Sequence, residues 1–190
     1  MKILIIDTET TGFFKGSKVP LYAQPEIFEL AGQIIDSTTM EQDREAPEGG
    51  FLVLKFRPKA RIPQKIEELV HIKDADYDGK PSFLQEYPRI RQFFAYAQVL
   101  VAHNLDFDLK MMALELMRIK ATDMFPFPST GVCTMKDARV RWPGQPNRLI
   151  DLHYRVCGTS VKQEHNAVAD VEMLFEIIKA KPEIVLDNVA

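Results

Sequence analysis

The stretch KILIIDTETTG, residues 2–12, decides how the rest of the chain is read. Its apolar run, Ile3 to Ile6, is short, rich in isoleucine and ends in polar residues, the pattern of a buried central strand. Asp7 and Glu9 stand two residues apart at its end. Side chains at i and i+2 project from the same face of a strand, so the two carboxylates lie side by side. They repel unless a cation sits between them, and hard divalent cations prefer carboxylate oxygen. An acidic, solvated strand end would show the same two residues.

Working outward, Ile27 to Ile35 (IFELAGQII) and Phe51 to Phe56 (FLVLKF) read as two further strands. The polar segment 37–50, ending in Gly49-Gly50, reads as an exposed turn across which they pair antiparallel. Pro63 suits a first helical turn, followed by Ile66, Leu69 and Val70 at helical spacing. A second helix is expected from Ser82 to Ala97, with Pro88 placed to kink or break it. Gln98 to Ala102 (QVLVA) is a fourth strand, and Phe107 to Ile119 a helix with one buried face. Val132 to Met135 has the makings of a short edge strand. Leu149 to Val156 and Asn166 to Lys179 are the last helices, with Gly158 as the terminator of the first. Strands interleaved with helices argue for an α/β or α+β sheet with helices packed on it.

The bulk properties exclude several classes. At 190 residues the chain suits one domain, and its 46% hydrophobic and 27% charged residues are ordinary for a globular protein. No run approaches the roughly 20 apolar residues of a membrane helix. The Ile3 to Ile6 run is too short for a signal-peptide core. Cys133 and Cys157 are too few and too far apart for a disulfide framework or a zinc site, so a reducing cytoplasmic setting is the default. A net charge of -3 lacks the basic footprint usual in nucleic-acid binders.

Two more segments carry acidic residues in suggestive places. In HNLDFD (His103 to Asp108), Asp108 opens a helix; Asp106 reads as a dipole partner, and Phe107 as an anchor to the core. In HNAVAD (His165 to Asp170), His165 sits at a loop-to-helix junction, and Ala167 and Ala169 are small enough for close approach to a crowded site. Each segment alone reads as capping or surface polarity. Together DTETTG, HNLDFD and HNAVAD resemble, in order, the three motifs of the DEDDh 3′–5′ exonucleases, the DnaQ-like family that includes the proofreading exonuclease domains of DNA polymerases. The resemblance spans about residues 1 to 180.

That resemblance implies an α/β, ribonuclease H-like mixed β-sheet flanked by helices, as a single exonuclease domain over 1–190. It implies that Asp7, Glu9, Asp108 and Asp170 hold two divalent metal ions, Mg²⁺ with Mn²⁺ as a substitute, and that His165 is the general base. Thr10, Thr11, Gly12, Phe13, Ile72, His103 and Asn104 are the implied substrate-binding residues. The expected reaction is hydrolysis at the 3′ end of single-stranded or frayed DNA, releasing nucleoside 5′-monophosphates. The implied partners are single-stranded DNA or the 3′ ends of duplex DNA, with a DNA polymerase in trans and no membrane. The implied setting is the cytoplasm, bacterial or, for a phage-encoded chain, that of the host. An RNA-trimming member of the family and a catalytically silent nucleic-acid-binding subunit are the alternatives.

The sequence departs from the family at Phe13, where a small aliphatic residue is usual, in a longer segment between Gly12 and Ile27, and at Leu69 to Ile72. Phe13, Phe14 and Ile72 are the stacking candidates. Two basic clusters, Lys55 to Lys65 and the arginines 139, 141 and 148 around Trp142, suit phosphate as well as they suit a solvated surface. Lys162, beside the third motif, is a further candidate. With the four carboxylates assigned to a metal cleft, the rest of the chain is close to neutral, so the acidity does not argue against nucleic acid.

Overall fold

A computed structural model describes residues 1–161 and 166–189. Six strands, β1 (Lys2–Thr10), β2 (Ile27–Asp36), β3 (Glu41–Gln42), β4 (Phe51–Lys55), β5 (Val99–Ala102) and β6 (Thr130–Cys133), form one mixed sheet. Its order is β3-β2-β1-β5-β6, with β4 beside β3 on the outer edge of β2. β1 runs antiparallel to β2 and parallel to β5. The helices are α1 (Gln64–Val70), α2 (Phe83–Ala95), α3 (Leu105–Arg118), α4 (Thr134–Arg141), α5 (Leu149–Cys157), α6 (Ala167–Ala180) and α7 (Glu183–Leu186).

The alternation of β1 sorts the core into two layers. Leu4 and Ile6 pack with Ile90, Phe93 and Phe94 of α2 and Met111 and Met112 of α3. Ile3 and Ile5 pack with Leu152 of α5 and Val171, Leu174 and Ile178 of α6. All four β1 residues are fully buried, each contributing about 1.5–3 kcal/mol. α2 crosses β2 so closely that a Cβ on Gly32 would lie 2.9 Å from Phe93 Cε1, so only glycine fits there.

The expected strands and long helices form, with some differences. The segment 37–50 is more than a turn: it holds β3 and a 3₁₀ turn, and it buries Asp43 against Lys2 Nζ at 2.6 Å. α2 passes through Pro88 without ending; the amide that proline lacks would have bonded back to Leu84, on an exposed turn near the helix start. Ser82 caps it, accepting from the Gln85 amide at 3.4 Å. α4 and α7 have too little apolar periodicity to be read from sequence. Arg141 ties them together, donating to Asp137 and Asp187 and to the Glu183 carbonyl. Among the described residues no helix is long and apolar enough to cross a membrane.

Candidate active site

The strand lengths place the site. Pairing of β1 with β5 ends at Ile5–Val101, while β1 runs on to Thr10. The last residues of β1 therefore project beyond the carboxyl end of β5, where α3 begins. By alternation Asp7 and Glu9 share the face of Ile3 and Ile5, the one covered by α6. Asp170 lies in the first turn of α6, which Asn166 caps by accepting from the Ala169 amide at 2.8 Å. Thr8 points to the other face, toward α3, and its hydroxyl donates to Asp108 Oδ1 at 2.8 Å.

These side chains line one cavity of about 740 Å³. Asp7, Glu9, Asp108 and Asp170 occupy its acidic end. Thr10, Thr11, Gly12 and Phe13 form one wall, and Pro63, Lys65, Ile66, Glu68, Leu69 and Val70 on and before α1 form another. Phe107 packs on the core, as expected, but also lines the cavity, edge-on to Phe13 with ring centroids 5.9 Å apart. Phe13 is 79% exposed at the lip, whereas Phe14 packs against the core.

The electrostatics of this end are strained. Burial, then the charges of Asp108, Asp170 and Glu9, hold the Asp7 carboxyl well above its ordinary pKa. Burial and the neighbouring Asp170, Glu29 and Asp108 push Glu9 up to about 8. Burial raises Asp108 to about 7, against the opposing pull of the Thr8 hydroxyl. Removing that donor should matter: Thr8→Val is expected to raise the Asp108 pKa by about one unit or more, since a hydrogen bond to a charged group contributes about 1.5–3 kcal/mol. A carboxyl NMR titration of the variant checks this.

Among the described residues, no three His, Cys, Asp or Glu side chains form a ready-made metal-ligand set. Like charges drawn to ligating distance repel, and burial with that repulsion holds the Asp7, Glu9 and Asp108 carboxyls above their ordinary pKa. The donor set nonetheless fits a hard divalent cation: it is all carboxylate oxygen, and a cation would offset the burial and the repulsion that raise three of its pKa values.

The remaining sequence candidates are placed as follows. His103 lies at the cavity edge with both ring nitrogens engaged, Nδ1 with Thr134 Oγ1 (3.0 Å) and Nε2 with the Asn147 carbonyl (2.9 Å). Burial lowers its pKa to about 4, so it serves there as a neutral brace for α4. Asn104 is exposed in a left-handed conformation at the start of α3 and does not line the cavity. Ile72 also lies outside the cavity and packs beside Val70 and Tyr77; Ile66 and Leu69, a turn earlier, take the place in the wall expected of it. His165 and Lys162 lie outside the described residues. Of the basic clusters, Arg57 pairs with Asp74 at 3.0 Å, Arg148 with Asp151 at 2.7 Å, and Trp142 packs on the body under Arg155. Sequence reading missed Glu29, a buried carboxylate directly across from Glu9 with Lys55 at 3.5 Å. The alternation of β2 would have found it once the register was known.

A family model described as Exonuclease matches residues 4–178. The chain belongs to the exonuclease family. It is 29% identical over 177 residues to DNA polymerase III PolC-type of Clostridium perfringens (strain 13 / Type A), covering 93% of this chain and 11% of that protein. It is 29% identical over 174 residues to DNA polymerase III subunit epsilon of Treponema pallidum (strain Nichols), covering 90% and 72%. The chain thus spans about a tenth of the first relative and most of the second. Among solved structures it superposes on exonuclease X in complex with 5′ overhanging duplex DNA, with a TM-score of 0.64, 23% identity and 99% of each chain covered. It also superposes on the nuclease domain of 3′hExo, a DEDDh family member, bound to rAMP, with a TM-score of 0.75 and 14% identity over 98% and 94% of the two chains. The fold of this family member is therefore the ribonuclease H-like, exonuclease-type α/β fold that the motifs implied.

Proposed function

We propose that this chain hydrolyses phosphodiester bonds at the 3′ end of single-stranded or frayed DNA, releasing nucleoside 5′-monophosphates. One observation carries the reading: in a member of the exonuclease family, carboxylates from three separate segments line one end of a cavity whose remaining walls are largely apolar. On this reading the end of one strand enters the cavity.

Exonucleases of the DEDDh type use divalent metal ions. Asp7, Glu9, Asp108 and Asp170 would hold them here, Mg²⁺ or in its place Mn²⁺. When bound, such ions stabilise the charge that develops on the phosphoryl and departing oxygens. The chain's own residues do the rest. Thr8 fixes the orientation of the Asp108 carboxylate. Backbone and side chains of Thr10, Thr11 and Gly12 seat the terminal nucleotide. Phe13, braced by Phe107, stacks on the base opposite Ile66 and Leu69. His165 accepts the proton of the attacking water. His165→Ala should slow hydrolysis by about 10²–10⁴ and leave the metal-induced rise in melting temperature in place.

The relatives named DNA polymerase III PolC-type and DNA polymerase III subunit epsilon favour DNA over RNA as substrate, and the one named as a subunit favours a polymerase in trans as partner. The test is a shortening ladder from a 5′-labelled strand, run on matched DNA and RNA with magnesium or with chelator. A ladder on DNA that chelator stops is expected. A ladder on RNA alone would move the substrate class, and no product with either strand would overturn the enzyme reading.

A further inference from the structure

The loop over residues 13–26, longer than the family pattern, is fixed from within. At the register shift between Glu9 and Thr10, the Ile27 amide donates to Glu115 Oε1 at 3.0 Å. Arg118, with its side chain 10% exposed, donates to the same oxygen at 2.7 Å. It donates also to the carbonyls of Leu21, Gln24 and Pro25 at 3.3, 3.0 and 2.8 Å. Buried Gln24 donates to the carbonyls of Gly16 and Val19 and accepts from the Lys15 amide. A loop with this many internal partners has a defined shape, yet Tyr22 on its outer side is 86% exposed.

Tyr22 does not face empty surface. With Leu21 it lines one side of a groove of about 570 Å³ whose other side is Lys59 and Ala60, with Glu26 and Arg118 also lining it. The Lys59 ammonium has no carboxylate partner among the described residues, and the Lys15 ammonium lies 2.8 Å from the Ala23 carbonyl, next to Tyr22. The Glu26 carboxylate accepts from the Lys59 amide at 2.7 Å. One hydrogen-bonded pair joins the wall of this groove to that of the carboxylate cavity. Thr11 lines the cavity, Glu26 lines the groove, and each donates its amide to the other, at 2.9 Å in both directions. The same two stretches of chain, 10–26 and 59–70, therefore flank both.

We propose that this groove is a second nucleic-acid subsite. It takes an unpaired nucleotide of the strand whose 3′ end enters the cavity, with the base on the Tyr22 ring and the backbone phosphate at Lys59. The inference rests on the exonuclease reading for the position of the strand end. An exposed aromatic ring offers stacking to any base, and a lysine without a carboxylate partner attracts phosphate without reading sequence. Because Arg118, Glu115 and Gln24 already order the loop, binding incurs little further cost in conformational freedom.

Binding of fluorescent oligothymidylates, measured in chelator so that no strand is consumed, tests this. Tyr22→Ala should weaken affinity for a strand of roughly 20 nucleotides about tenfold and leave a trinucleotide unaffected, with Tyr22→Phe restoring the long-strand affinity. Lys59→Ala should reduce the slope of log affinity against log salt by about 0.7. Equal long-strand affinity in wild type and Tyr22→Ala overturns the proposal, and so does an equal loss at both lengths. Both side chains are exposed, so an unchanged melting temperature is expected and confirms that the fold is intact. A protein that shows the length-dependent binding but cleaves nothing would count against the exonuclease reading and leave the groove in place.

Discussion

Asp7→Asn is expected to abolish 3′-end trimming while raising the melting temperature of the metal-free protein near pH 8. The two effects share one cause. Asp7 stands among Glu9, Asp108 and Asp170, and its carboxyl is pushed well above its ordinary pKa by burial and by their charges. A group whose folded pKa is raised loses stability as pH rises from its unfolded pKa toward its folded one, because the folded state retains a proton that the unfolded state has released. The amide is neutral at every pH and removes this penalty. One kcal/mol moves the melting point of a domain this size by about 2–4 °C, so a gain of at least that size is expected near pH 8, shrinking toward pH 5. Activity fails because an amide replaces a carboxylate oxygen at the centre of the donor set. A variant that still trims DNA, or that melts lower than wild type near pH 8, would refute the assignment. Differential scanning calorimetry beside the ladder assay reads both.

The second large effect is that of the metal itself. Millimolar magnesium should raise the wild-type melting temperature by about 5–10 °C near pH 8, which corresponds to about 2.7 kcal/mol at a hundredfold excess over the dissociation constant. Near pH 5.5 the rise should be much smaller. Glu9 titrates at about 8 and Asp108 at about 7, so below those values the metal must displace protons to bind. Metal affinity therefore climbs with pH, while the metal-free protein loses stability over the same window. The magnesium-induced shift should also nearly vanish in Asp7→Asn. A shift independent of pH would show that magnesium binds elsewhere.

Much of this protein is written locally. The Ile-rich run ahead of Asp7 reads as a buried strand because it is short, β-branched and ends in polar residues, and all four of its residues are fully buried. The carboxylates at positions 7, 9, 108 and 170 stand out only through the resemblance of DTETTG, HNLDFD and HNAVAD, taken in order, to the family's three motifs; each segment alone reads as a cap or an exposed acid. The short helices α4 and α7 were not legible, since each buries too few apolar residues to set a stripe, Ala138 in one and Ile184 and Val185 in the other, and Arg141 joins them across a long separation in sequence. Ile72, a stacking candidate by sequence, lies outside the cavity for a related reason. The left-handed turn at His71 ends α1 and sends the chain away, leaving Ile66 and Leu69 facing the strand end.

The sequence by itself determined the alternation of β1, and with it the fact that Asp7 and Glu9 share a face while Thr8 takes the other. Only the tertiary structure decided what meets those faces. α6 brings Asp170 to the first, α3 brings Asp108 to the Thr8 hydroxyl on the second, and β5 stops short so that both converge beyond its end. Strand periodicity is a property of neighbouring peptide units and can be read residue by residue. Convergence depends on where one strand ends relative to another, and that is set by packing across the whole sheet.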